Sequence, residues 1–242
     1  MAYRSDCDLE FLEKINSSDL DVLVKILVYD KDGDERVTEE LTAQERYKRN
    51  SPNHHRYWDL IAAEIQCYGA NTFMTIFRGG KGVLYKEILC DVCDKIKVNY
   101  NKNAATEFIE MNLLMKILTD SMEKMSPDEL REIVEELDLK TTTFTTEQVA
   151  AALQIAIRMG GFASYKVALI VANAVAKFLF GRGLSFAANA ALARTMAIFA
   201  GPIGWVITGL WTAIDIAGPA YRVTIPAIIQ VAFLRAKLKY GQ

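Results

Sequence analysis

The stretch Ser126-Pro127-Asp128-Glu129-Leu130-Arg131-Glu132-Ile133-Val134-Glu135-Glu136-Leu137 decides the fold class. The Ser126 hydroxyl can accept from a free backbone N–H, proline suits the first helical position, and Glu129 can reach back to the serine. Leu130, Ile133, Val134 and Leu137 then recur at i, i+3, i+4 and i+7, one face of a helix and not the alternation of a strand. Thr145-Thr146-Glu147-Gln148 repeats the capping signal further along.

Working outward, nearly every periodic segment reads the same way. Leu9, Leu12 and Ile15 keep helical spacing, and Ser17-Ser18 breaks the pattern and can cap the next segment, whose face is Leu20, Leu23, Ile26 and Leu27. Residues 38–49 read as an exposed charged helix. His54 to Tyr68 is a stronger one, with Trp58, Ile61, Ile65 and Tyr68 in register. Gly79-Gly80-Lys81-Gly82 interrupts the pattern, which resumes from Leu84 to Val98. Residues 104–125 form a long helix with Phe108, Met111, Leu114 and Leu118 facing inward. No alternating run is long enough to build a sheet, and no internal repeat is present. The expected fold is all-α, a multi-helix bundle. Its expected parts are a short helical-hairpin module at 1–37, an acidic helical domain at 38–150 and a hydrophobic, basic helical region at 151–242.

The chain has 242 residues, 51% of them hydrophobic, with 14 Gly and 5 Pro, enough apolar material for a real core. Low Gly and Pro with 24% charge exclude a disordered or collagenous chain. Four cysteines are too few for a disulfide scaffold. A net charge of -2 excludes a globally basic nucleic-acid binder. That average conceals a division. Residues 1–150 hold 19 basic and 29 acidic side chains, whereas residues 151–242 hold 9 basic ones and a lone acid, Asp215. Such asymmetry points to an anionic surface as partner, or to the acidic half docking on the basic half. Arg4, Asp6, Asp8 and Glu10 precede any apolar run, so no secretory peptide is expected, and a reducing compartment with free cysteines is.

Thr195 to Ile214 carries no charge, and as a helix it would extend about 30 Å, the thickness of a hydrocarbon core. Its strong apolar residues contribute only about -2 to -4 kcal/mol toward insertion, partly offset by Pro202, the glycines and the tryptophans. Phe162 to Phe180 is a second candidate, but Lys166 and Lys177 lie inside it, and one lysine near the bilayer centre costs about 2.5–3.5 kcal/mol. Residues 223–235 are apolar almost all round, broken only by Gln230 and Arg235, so that helix wants burial on every side. These helices are either the dry core of a soluble bundle or a hairpin over 162–214 that enters lipid. The shortage of acids favours lipid, because a soluble surface normally mixes both signs.

Chemistry-bearing motifs are weak. Cys90-Asp91-Val92-Cys93 has zinc-knuckle spacing, but no second pair follows, the adjacent His54 and His55 cannot easily face one metal, and the pair sits mid-helix. Asp30, Asp32 and Asp34 resemble the start of a calcium loop, but the glycine and the closing glutamate are out of place. The glycine-rich stretch at 79–82 lacks the phosphate-loop pattern. No catalytic, cofactor-binding or metal residue is nominated.

At Asp8-Leu9-Glu10-Phe11-Leu12, Ile88-Leu89-Cys90-Asp91-Val92-Cys93 and Gly218-Pro219-Ala220-Tyr221-Arg222-Val223-Thr224-Ile225-Pro226-Ala227 the chain resembles the YaaW-like proteins of bacteria, which have no established activity. The likeness runs along the whole chain and is most specific in the last stretch. Grouping of that family with ubiquinol–cytochrome c chaperones implies help in assembling a membrane respiratory complex. No catalytic residues carry over.

Together these readings predict a non-enzymatic, cofactor-free protein of the bacterial cytoplasm, associated with the inner membrane through residues 160–242. Lys166, Lys177, Arg182, Arg194, Arg222, Lys237 and Lys239, with Trp205 and Trp211, are the expected contacts to anionic lipid or to a membrane-protein partner. Each cation near such a surface contributes about 1 kcal/mol. Nucleic acid is not an expected partner. The alternatives are a soluble assembly chaperone and a pore-forming effector whose acidic half keeps it soluble.

Overall fold

The computed structural model describes residues 2–30, 32–72, 82–159, 161–184, 190–214 and 220–241. The protein is all-α. Its helices are α1 (Ser17–Val28), α2 (Glu45–Asn50), α3 (Trp58–Thr72), α4 (Tyr85–Lys95), α5 (Thr106–Met122), α6 (Pro127–Glu136), α7 (Thr146–Met159), α8 (Gly161–Phe180), α9 (Ala190–Ile214) and α10 (Tyr221–Tyr240). Short 3-10 turns cover Glu10–Lys14 and His54–Tyr57. Among the described residues the only β pairing is an isolated bridge between Tyr29 and Glu35. The chain divides into two compact units, Met1–Glu110 with Trp211–Arg235, and Met111–Leu210 with Ala236–Gln242.

In the first unit, α1 buries Leu20, Leu23, Ile26 and Leu27, the face that periodicity predicts. Its cap is Asn16, not the serine pair: the Asn16 side chain accepts from the Asp19 N–H at 2.9 Å. Upstream, Leu9 and Leu12 are buried from a 3-10 turn. The charged helix expected over 38–49 shrinks to α2. Ahead of it Glu39 accepts from the Thr42 N–H at 2.9 Å and Glu64 accepts from the Glu40 N–H at 3.0 Å. The Glu64 bond fastens this segment to α3, and the chain runs through turns there until Glu45. Most of α10 belongs to this unit, and Val223, Ile225 and Ala227 through Ile229 are all buried, as a helix apolar all round requires.

In the second unit, α6 begins with the predicted reciprocal cap. The Ser126 N–H donates to Glu129 Oε2 at 2.8 Å, and the Glu129 N–H donates to Ser126 Oγ at 3.3 Å. Leu130, Ile133 and Val134 are buried. At the start of α7 the Gln148 N–H reaches Thr145 Oγ1 at 3.4 Å. On α5, whose residues through Glu110 count with the first unit, the predicted Leu114 and Leu118 are buried, whereas Phe108 is 62% exposed and Met111 half-buried; Ile109, Leu113, Met115 and Ile117 are buried with them. Val167 through Ala172 of α8 are buried on every side, and α9 buries Phe199, Ile203 and Ile207.

Candidate functional site

Within the first unit a buried polar network joins side chains that sequence reasoning left unconnected. Arg235, on α10, donates from Nε to Glu110 Oε2 at 2.9 Å and from Nη2 to the Asp8 carbonyl at 2.6 Å. Its guanidinium lies over the Phe11 ring, 4.3 Å from the centroid. The Tyr85 hydroxyl donates to the second Glu110 oxygen at 2.7 Å. Burial raises the Glu110 carboxyl above its ordinary range, and Arg235 and the Tyr85 hydroxyl pull it back. Beside it, Asp6 accepts from the Tyr85 N–H at 2.7 Å and from Gln66 Nε2 at 3.3 Å. Every charge here has a partner on another element, which is how a packed unit is locked together. The only sequence signal was a lone arginine interrupting an apolar helix.

The sequence motifs fall into ordinary surroundings. Cys93 is buried in mid-α4 and burial pushes its thiol up to about 12, while Cys90 is half-buried. Asp30 accepts from the backbone N–H groups of Asp32 at 2.9 Å and Asp34 at 3.0 Å, forming a turn. His54 is buried between Tyr57 and Asp21, with Nε2 3.4 Å from the Asp21 carboxylate. Gly79, Gly80 and Lys81 lie outside the described residues. Asp6, Cys7 and Asp8 have ligand atoms within 4.8 Å of one another, but Asp6 already serves the backbone and Gln66.

The second unit holds the apolar and cationic surface. Trp205 is 66% exposed on α9. The Phe178 ring, itself partly exposed, lies against Gly204, so close that a Cβ there would meet its Cδ2 at 3.4 Å. This contact brings the end of α8, with exposed Lys177 and the following exposed Arg182, to the part of α9 that carries Trp205. Lys166 is half-buried, its ammonium 5.1 Å from the Phe162 centroid. Arg194 is engaged by an acid of the acidic region: Nη1 donates to Glu136 Oε1 at 3.0 Å. Lys239 lies 5.2 Å from the Tyr240 centroid, and Lys237 is half-buried. Arg222 is half-buried in the first unit, and the Trp211 side chain lies outside the described ones. Among the described residues two helices have the length and composition to cross a membrane: in Gly161–Phe180 56% of the apolar window is buried, in Leu192–Leu210 only 39%.

A family model described as ubiquinol-cytochrome C chaperone matches residues 53–230, and one described as a domain of unknown function (DUF3944) matches residues 3–37. A UPF0174 protein of Helicobacter pylori (strain J99) is 55% identical over 98% of this chain and 94% of its own length. The chain belongs to the UPF0174 family and to the family that the larger model describes. A second UPF0174 protein of that strain is 46% identical over 84% of this chain and 99% of its own length. The UPF0174 protein YaaW of Escherichia coli K12 is 29% identical over 99% of this chain and 98% of its own. The likeness to YaaW-like proteins expected from three short stretches therefore extends along the UPF0174 chain. No solved structure matches it.

Proposed function

We propose that this UPF0174 protein is a non-enzymatic assembly factor that works at the bacterial inner membrane, holding anionic lipid with α8 and α9 while it serves a membrane-protein client. One observation carries the reading: Trp205 is 66% exposed on an apolar helix with no acidic residue in it. Phe108 of α5 is nearly as exposed, at 62%, but Glu107 and Glu110 flank it, whereas no charge lies near Trp205 between Thr195 and Ile214 in the chain. A tryptophan left in water beside cations suits the head-group layer, where its ring is half solvated and half apolar. Lys177 and Arg182 supply charge at the same end of α8, about 1 kcal/mol each against an anionic surface. Arg194, occupied by Glu136, contributes less. The family description, ubiquinol-cytochrome C chaperone, supports a client among respiratory membrane complexes. Bacterial relatives support the compartment.

Flotation of the full chain with vesicles of phosphatidylcholine alone, and of phosphatidylcholine mixed with phosphatidylglycerol, tests the proposal. The chain rises with the anionic vesicles, and Trp205→Ala reduces the floated fraction. Failure to float with either composition overturns it, and a client recovered from membrane-free extract then favours a soluble chaperone.

A further inference from the structure

Helix α7 shows water a ridge that its own unit does not cover. Val149, Ala150, Ala152 and Leu153 form its buried face. Opposite them Glu147, Ala151, Ile155 and Met159, spaced four apart, are all exposed, Ile155 by 57% and Met159 by 83%. Residues at this spacing make the row that packs into the groove of a second helix, here about 18 Å long from end to end. Gln148, Gln154 and Arg158 are exposed beside the row. The acid, Glu147, stands in the first turn of the helix and the cation, Arg158, in the last.

That arrangement is complementary to itself when reversed. We propose that the α7 ridge pairs antiparallel with the same ridge of a second copy of this chain, forming a two-fold symmetric dimer. With Ala151 opposite Ile155 of the second copy, the small side chain admits the large one. The same register sets Glu147 beside Arg158 of the second copy, and symmetry makes each contact twice. A bilayer suits the ridge less well, since a uniformly anionic plane would press on Glu147. The net charge of -2 leaves no strong repulsion between copies. The pairing is independent of the lipid reading, which uses α8 and α9.

Sedimentation equilibrium of the full chain in detergent-free buffer tests the dimer, with circular dichroism checking that each exposed-site variant folds. The wild-type chain passes from monomer to dimer with rising concentration, and Ile155→Glu abolishes the transition. Glu147→Arg and Arg158→Glu each weaken association by about 5–10-fold, because one reversal spoils two symmetric ion pairs, and combining them restores it. A wild-type chain that stays monomeric overturns the proposal. So does a double reversal no tighter than the singles, or an Ile155→Glu variant that loses vesicle flotation and keeps its dimer.

Discussion

Arg235 and Glu110 stand 125 positions apart in the chain and meet at 2.9 Å, with side chains only 17% and 3% exposed. Both charges are out of water, so each depends on the other. Removing one partner leaves the second buried and uncompensated, which typically costs about 3–5 kcal/mol. Glu110→Ala is expected to lose that much in a denaturant titration. Tyr85→Phe, which deletes one donor to the same carboxylate, is expected to lose about 1–3 kcal/mol. A change in Glu110→Ala smaller than that of Tyr85→Phe would show that the pair does not hold the unit.

Glu64 makes the first unit less stable as pH rises from acid toward neutrality. Burial, opposed by the Glu40 N–H and reinforced by Glu39 and Glu40, moves its carboxyl to about 7. Its second oxygen has no partner in the structure. Between the ordinary 4.5 and about 7 the folded chain holds a proton that the unfolded chain has released, so stability falls as pH rises through that window. The loss at about pH 8 is on the order of 3 kcal/mol. Glu64→Gln should therefore match the wild type near pH 4 and exceed its stability near pH 8. His54, held below its ordinary value chiefly by burial, acts in the opposite sense and is common to both proteins. Parallel stability curves for the two would contradict the assignment.

The reciprocal cap at Ser126 gives a local test. Ser126→Ala removes the acceptor for the Glu129 N–H and is expected to destabilise the second unit by about 1 kcal/mol. A thermal shift indistinguishable from zero, with Glu129→Ala equally silent, would mean the cap contributes nothing.

Thiol reactivity separates the cysteines. Cys7 is exposed, whereas Cys93 is buried and its thiol is raised to about 12. Only the thiolate reacts. Native-state labelling followed by peptide mass analysis should modify Cys7 promptly and Cys93 only on unfolding. Comparable rates at both would place Cys93 nearer the surface than described.

The helices were legible because their causes are local. Ser126 and Thr145 cap within three residues as read, the α1 cap falls on Asn16, one position ahead of the serine pair, and the apolar spacing of α1 and α6 can be counted along the chain. Where prediction failed, a distant side chain intervened. Where a helix was expected over 38–49, the chain ahead of α2 is held to α3 by Glu64, 24 residues on, which accepts from the Glu40 N–H. Phe108 faces outward because the buried stripe of α5 begins at Ile109 and continues through Leu113 and Ile117, a phase that spacing alone left open.

The candidate surface was legible only in kind. Sparse cations and apolar residues are properties of composition, so the basic character of residues 151–242 could be counted directly. Which cations remain available could not be, because Arg194 finds Glu136 across 58 residues.

Sequence by itself determined that this chain is helical, where most of its helices start, and that its acids and bases are segregated. Tertiary structure decided that α10, at the far end of the chain, completes the unit begun by residue 1. The physical reason is range: caps and periodicity act over one or two turns, whereas Arg235 reaches the Asp8 carbonyl across 227 positions, a contact that exists only after the chain has folded.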